Sequence, residues 1–291
     1  MSDYRPTFDL SSVPEKDRSR VAAMIPHPAI GEAYVHRMVR GVLDFDLLDD
    51  AVEEQENVIL AGPTGSSKTT LFRAYASARG LPFVVIECNA AMDPGVIIGR
   101  TSIGPDGSVE FVDGDLTLIV RYGGVALIDE INMAHPRVTA AWHGLLSVMR
   151  SMTIPENGEV VKAGAGGLGA PQDCLFGAAY NPRYQGTVRL NEALGNRFPM
   201  PFKWDYDRDV ENQLVDSPRL IDMAYNLRSL AEIRTPVSTN MLMEFQRHAH
   251  KRGTDMAEYF FLNHFASDEE GPVSRALDAN SAAIAAELGL G

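Results

Sequence analysis

Apolar positions recur along this chain in two rhythms. Unbroken apolar runs occur at Val58–Leu60, Phe83–Ile86, Val125–Ile128 and Cys174–Ala179. Such runs read as strands buried on both faces, where no polar alternation is needed. Between the first two runs, TTLFRAYASARG has helical spacing and stops at Gly80, with Pro82 just beyond. Strand, loop, helix and strand in that order predict a parallel α/β sheet. A shorter pattern, SMTIPENGEVVKA, predicts a hairpin turning at Asn157-Gly158, a pair suited to positive φ. The glycine-rich stretch Ala163–Pro171 reads as a connector.

Helical periodicity fits Gly31–Leu43 and Phe45–Val52, and it takes over from Asp205 in NQLVDSPRLIDMAYNLRSLAEI and NMLMEFQRHAHKRG. Residues 1–29 contain Pro6, Pro14, Pro26 and Pro28, which discourage a long helix and imply an extended arm. The expected organisation is therefore an arm over 1–29, an α/β domain over 30–204 and a small helical domain over 205–291. ALDANSAAIAAELGLG forms a terminal helix, and Asp268–Gly271 a solvated acidic turn.

Composition narrows the function without choosing it. The chain has 291 residues, 45% of them hydrophobic and 22% charged, which is ordinary for a globular protein. Net charge is -13, so a broad nucleic-acid-coating surface is disfavoured. No run approaches the length of a membrane span, and MSDYRPTFDL lacks the layout of a secretory signal. Cys88 and Cys174 form no C-x-x-C pair, which fits a reducing cytoplasm.

Chemistry enters at AGPTGSSKTT, Ala61–Thr70. The stretch follows the phosphate-loop pattern G-x-x-x-x-G-K-[ST] except that Ser67 stands at the second glycine. The segment Gly62, Pro63, Thr64, Gly65, Ser66, Ser67, Lys68, Thr69 and Thr70 would cradle the phosphates of ATP, with backbone N–H groups other than that of Pro63, which has none, pointing into one concavity. Lys68 would reach the β- and γ-phosphates, and the Thr69 hydroxyl would help hold Mg²⁺. Ser67 is expected to open the helix with negative φ, leaving the positive-φ demand to the earlier glycines. At the end of VALIDE, Asp129 suits an outer hold on Mg²⁺ and Glu130 suits activation of a water. His248 and His250 diverge on a helix and read as surface residues; spacing gives His135 no role. Met241-Leu242-Met243 reads as core of the helical domain.

In order from about Ile25 to Phe202, these motifs resemble the AAA+ ATPases, and within them the MoxR-like group that includes activators of Rubisco and nitric oxide reductase. MDPGVIIGRTSIGPDGSVEFVDGDL resembles that group's hairpin inserted in the second helix, and LLSVMRSMTIPENGEVVKA its hairpin before sensor 1. GAAYNP resembles the sensor 1 strand, which implies that Asn181 lies near the γ-phosphate. LNEALGNRF resembles the arginine-finger segment, which implies that Arg197 acts on a neighbouring subunit's nucleotide.

The resemblance further implies ATP hydrolysis, a homo-oligomer (a hexameric ring or a helical assembly), a protein client met by the tips at Pro105-Asp106-Gly107 and Glu156-Asn157-Gly158, and a partner with a von Willebrand factor A domain. PVSTNML places Asn240 where the sensor 2 arginine would stand. Either Arg234 or Arg247 substitutes, or coupling of lid to nucleotide is weaker. A nucleic-acid motor or loader of related fold, and a nucleotide-binding assembly protein with little hydrolysis, are the competing readings.

Overall fold

The computed structural model describes residues 4–89, 94–103, 107–134, 142–154, 156–163, 173–182, 190 and 192–290. Pro105, Asp106, His135 and all but Ala163 of the glycine-rich stretch lie outside these residues. The chain divides into two compact units. One holds the residues through Tyr34, Met38–Gly62 and Ser67–Trp204, and the other holds Val35–Arg37, Pro63–Ser66 and the chain from Asp205 on.

The N-terminal segment is not an extended arm. A short 3-10 turn leads into helix α1 (Glu15–Ala23), with Pro14 as its N-cap. Pro14 and Pro26 bracket the helix instead of interrupting it, which the density of prolines concealed. Val21 packs with Val13 and Leu118, and the Tyr122 hydroxyl donates to Asp17 at 2.8 Å.

The helix expected over Gly31–Leu43 also gives way. After α2 (Pro28–Glu32), strands β1 (Met38–Val39) and β2 (Val42–Leu43) pair antiparallel around Arg40 and Gly41, at φ 52° and 89°. Positive φ at both central residues is the geometry of a two-residue hairpin, which outweighs apolar spacing. Helix α3 (Asp44–Glu53) follows.

Next come β3 (Val58–Ala61), α4 (Lys68–Arg79), β4 (Phe83–Glu87) and α5 (Pro94–Ile98). Then β5 (Gly99–Ile103) and β6 (Val109–Asp113) form a hairpin inserted before α6 (Asp115–Tyr122). Strand β7 (Gly124–Asp129), a second hairpin of β8 (Ser151–Thr153) and β9 (Val160–Lys162), β10 (Cys174–Tyr180), the short α7 (Glu192–Gly195) and β11 (Met200–Lys203) complete the unit. The second hairpin does not close as a two-residue turn. The Gly158 amide donates to the Ile154 carbonyl and the Ile154 amide to the Glu159 carbonyl, and Gly158 at φ 72° supplies the positive dihedral.

Five parallel strands lie in the order β11-β3-β10-β7-β4. Successive residues alternate between two cores. Ile59, Ala126, Ile128, Phe176 and Ala178 face one, with Leu116 and Ile119 of α6. Val58, Leu60, Val125, Leu127 and Leu175 face the other, with Phe45 and Leu48 of α3 and Leu71 and Phe72 of α4. Each Val, Leu, Ile or Phe among them, removed from water, contributes about 1.5–3 kcal/mol. In the central strand a Cβ at Gly177 would stand 2.4 Å from the Phe72 ring, so glycine there lets α4 lie close to the sheet.

The other unit is helical. Helices α8 (Arg208–Leu214), α9 (Pro218–Ser229), α10 (Thr239–Arg252), α11 (Thr254–Leu262) and α12 (Glu270–Glu287) bury Leu220, Ile221, Leu242, Phe245, Phe261 and Ile284 in one core. Their starts are written in the sequence: Asp207, Ser217 and Ser238 cap α8, α9 and α10 with side-chain oxygens, and Pro218 opens α9. Met241 and Leu242 are buried, whereas Met243 is 40% exposed.

Asp268–Gly271 is not a solvated turn throughout. Glu269 is buried, and its carboxylate accepts from the Thr235 hydroxyl and from the amides of Arg234, Thr235 and Ala266. Burial alone would raise its pKa; those four donors outweigh burial and hold it down at about 2. A depressed carboxyl stabilises the fold above its unfolded pKa and loses that contribution as pH falls toward the folded value. Urea unfolding followed from pH 6 to pH 2 should therefore show wild type losing stability between about pH 4.5 and 2, with Glu269→Gln less stable at pH 6 and converging on wild type in acid. Parallel curves at every pH would refute the role.

Candidate active site

Register brings the site together. Ala61 of β3 pairs with Tyr180 of β10, and Ala179 of β10 pairs with Asp129 of β7, so the carboxyl ends of these strands stand level. The residues that come next are Gly62, Asn181 and Glu130. In an open parallel sheet, ligands bind outside the carboxyl ends of the strands. The Gly62 amide is fixed there by the Tyr180 carbonyl at 3.1 Å.

Lys68 is the first residue of α4 and is only 7% exposed. Its ammonium donates to the Gly62 carbonyl at 2.9 Å, held against the loop that precedes it. The Thr69 hydroxyl donates to Asp129 Oδ2 at 2.7 Å, so the hydroxyl and carboxylate expected to share a cation already touch. Thr70, one residue on, is exposed. Within the helical unit, Ser66 is fully buried and its hydroxyl donates to the Pro63 carbonyl at 2.9 Å. The Thr64 carbonyl accepts from the Tyr206 hydroxyl at 2.8 Å and the Ser66 carbonyl from Arg37 at 2.7 Å. Gly65 has φ 71°, and a Cβ on it would meet Ser238 at 2.5 Å.

Ser67 departs from expectation. It has φ 69° and ψ 25°, a left-handed residue capping α4, not the negative-φ start of the helix. The pattern asks for glycine here because the last residue before the helix must turn left-handed. A serine bears about 1–2 kcal/mol for adopting that conformation. The loop has the phosphate-binding shape all the same.

Glu130 is also left-handed, at φ 51°, and its amide donates to Asp129 Oδ1 at 3.0 Å. Burial and the neighbouring Asp129 raise its pKa, while Lys68 and the Asn181 amide draw it down. Those causes place Glu130 beside Asp129, Lys68 and Asn181. Asn181 itself is 4% exposed. Burial, with the same acids, pushes the Cys88 thiol up to about 12; Cys88 and Cys174 are both buried thiols.

Arg197 lies elsewhere in the unit, in the turn after α7. Asn57 seats that turn: its Nδ2 donates to the Arg197 carbonyl at 2.7 Å and to the Leu146 carbonyl at 2.9 Å. The Arg197 side chain is half-buried and forms no ion pair with any described residue. In the helical unit, Asn240 is exposed in the first turn of α10. Arg234, one substitute for the missing arginine, is already paired with Asp268 and Glu269; Arg247 is exposed. His248 is half-buried against Phe260, with ring centroids 4.7 Å apart, so of the pair it is His250 that is exposed.

Sequence reasoning missed Arg37 and Tyr206. Both act on backbone carbonyls, and a bond to a carbonyl leaves no spacing mark in a sequence.

Among the described residues no group of three or more His, Cys, Asp and Glu could hold a metal ion. The adjoining hydroxyl and carboxylate of Thr69 and Asp129 suit a hard cation such as Mg²⁺, which takes few protein ligands when phosphates supply the rest. Fold and loop together have the form of a phosphate loop set between a strand and a helix of a parallel sheet.

Comparison with known proteins sharpens that class. Residues 57–198 match the family described as AAA domain, dynein-related subfamily. The matched residues hold four of the five strands of the parallel sheet, so the likeness is to that family's domain and extends over about half of this chain. It is similar to YojN of Bacillus subtilis, an uncharacterized protein, at 39% identity over 49% of this chain and 46% of that one. Uncharacterized proteins of Staphylococcus haemolyticus and Staphylococcus aureus match at 36% and 33%, over 55% and 57% of this chain and 60% and 62% of theirs. The chain thus spans about half to three-fifths of these relatives' length. A crystal structure from Cytophaga hutchinsonii is 17% identical, covering 89% of this chain and 83% of its own, with a TM-score of 0.47, a likeness too slight to bear on function.

Proposed function

We propose that this chain is a MoxR-like AAA+ ATPase that hydrolyses ATP in an oligomer and uses the cycle to remodel or activate a protein client in the cytoplasm. One observation carries the reading: Lys68, the Thr69–Asp129 pair and Glu130 converge at the carboxyl ends of neighbouring strands. Two acids in sequence fit hydrolysis better than storage of a nucleotide, since binding alone does not require the second.

In this mechanism Lys68 leaves the Gly62 carbonyl for the β- and γ-phosphates. Thr69 and Asp129 would hold Mg²⁺, which would supply positive charge against the phosphate oxygens. Glu130 orients the attacking water and accepts its proton, and Asn181 fixes that water against the γ-phosphate. Arg197 of one protomer completes the site of its neighbour. Its lack of an ion pair among the described residues supports a use outside its own chain.

The hairpin of β5 and β6 supports a client-binding role. Ile103 and Val109 flank its tip and are 76% and 71% exposed, more apolar surface than a solvated turn needs. The tip of the second hairpin, Glu156–Gly158, is the other contact proposed. A partner with a von Willebrand factor A domain belongs to the same reading.

Release of inorganic phosphate from Mg·ATP tests it. Turnover per chain should rise with protein concentration as the oligomer forms, and added DNA should leave it unchanged. Turnover independent of concentration would remove the shared site. Stimulation by DNA that disappears with salt would favour the motor or loader reading instead.

A further inference from the structure

A trans peptide points its carbonyl and its N–H in opposite directions, so gripping one aims the other. Two peptides of the phosphate loop are gripped in this way. Arg37 is 6% exposed, and its guanidinium donates to the Ser66 carbonyl at 2.7 Å and to the Asp205 carbonyl at 2.6 Å. The peptide that presents the Ser66 carbonyl carries the Ser67 amide on its other side. Tyr206 treats the preceding pair alike: its hydroxyl holds the Thr64 carbonyl at 2.8 Å and so aims the Gly65 amide.

Ser67 is also the residue held left-handed where the motif asks for glycine. Left alone, a serine relaxes toward negative φ by rotating the Ser66–Ser67 peptide. That rotation would carry the Ser66 carbonyl off Arg37 and swing the Ser67 amide away from a bound phosphate. We infer that Arg37 is the positioning residue that lets Ser67 occupy this place, its grip on the Ser66 carbonyl keeping the Ser67 amide turned toward the phosphates of a bound nucleotide. The inference rests on the reading of Gly62–Thr70 as a nucleotide site.

Titration calorimetry of the full chain with Mg·ADP separates the two claims. Arg37→Met should weaken binding by about 10- to 100-fold, the loss of a charge-assisted bond. Ser67→Gly, which removes the left-handed cost, should tighten it by about 2- to 5-fold. The decisive protein is the double variant: with glycine tolerating the turn unaided, Arg37→Met should cost less than about fivefold. Tyr206→Phe should weaken binding equally in both backgrounds, because its peptide is not the strained one.

Should Arg37→Met lower the melting temperature enough to prevent titration, Arg37→Lys keeps a cation that reaches fewer carbonyls, and it should show a smaller loss that Ser67→Gly likewise repairs. An equal loss with and without Ser67→Gly would overturn the role of Arg37 and leave the site reading intact. Repair of Tyr206→Phe by Ser67→Gly would overturn it too. Failure of the unaltered chain to bind Mg·ADP would overturn the site reading itself.

Discussion

Exchanging Glu130 for glutamine should slow phosphate release from Mg·ATP by about 10²–10⁴-fold, the usual worth of a positioned general base. Nucleotide affinity should stay near that of the unaltered chain, because Lys68, Thr69 and the loop amides are untouched. The amide keeps the shape of the carboxylate and its hydrogen bond from the Asn181 amide but cannot take a proton. Stability provides an independent check. Burial and Asp129 raise the Glu130 pKa, so at neutral pH its charge is disfavoured more in the folded chain than in the unfolded one. A neutral side chain removes that penalty, and the melting temperature at pH 7 should hold or rise. A variant that still hydrolyses ATP, or one that loses binding and stability together, would remove Glu130 from the chemistry.

Arg197→Ala should lower hydrolysis by about 10³–10⁵-fold with binding retained, the range for a cation that offsets charge growing on the transferred phosphoryl group. Folding should survive, since the side chain forms no ion pair with any described residue and the Asn57 seat holds only its carbonyl. What distinguishes action in trans is a mixing experiment. Glu130→Gln protomers carry an intact Arg197, and Arg197→Ala protomers carry an intact Glu130. Mixed together, the two inactive proteins should regain a measurable fraction of turnover, because some sites would draw Glu130 from one chain and Arg197 from the next. No recovery in a mixture shown to co-assemble would place Arg197 outside the neighbour's site.

The sheet was legible in the sequence because its strands are buried on both faces. Val58–Leu60, Val125–Ile128 and Cys174–Ala179 announce themselves as continuous apolar runs that few other environments tolerate. The approach of Thr69 to Asp129, with Lys68 at the start of α4, could be anticipated because the loop pattern restricts both residue type and spacing. The left-handed turn at Ser67 was not, since a serine in that conformation is written no differently from one at an ordinary helix start. Arg40-Gly41 outweighed the apolar spacing of Gly31–Leu43, because two positive dihedrals decide a hairpin and spacing does not report them. Glu269 was hidden for another reason: three of its four donors belong to Arg234 and Thr235, distant in sequence, and an acidic run on paper looks the same whether or not such donors wait for it.

Arg121 of α6 carries a consequence for the two inserted hairpins. Its guanidinium meets Asp113, the last residue of β6, at 2.6 Å and Glu159, in the turn before β9, at 2.5 Å. Two protruding fingers thus share one hinge pin. Deleting either carboxylate leaves the pin still seated in the other, so single substitutions there are buffered. Deleting the pin unhooks both fingers at once.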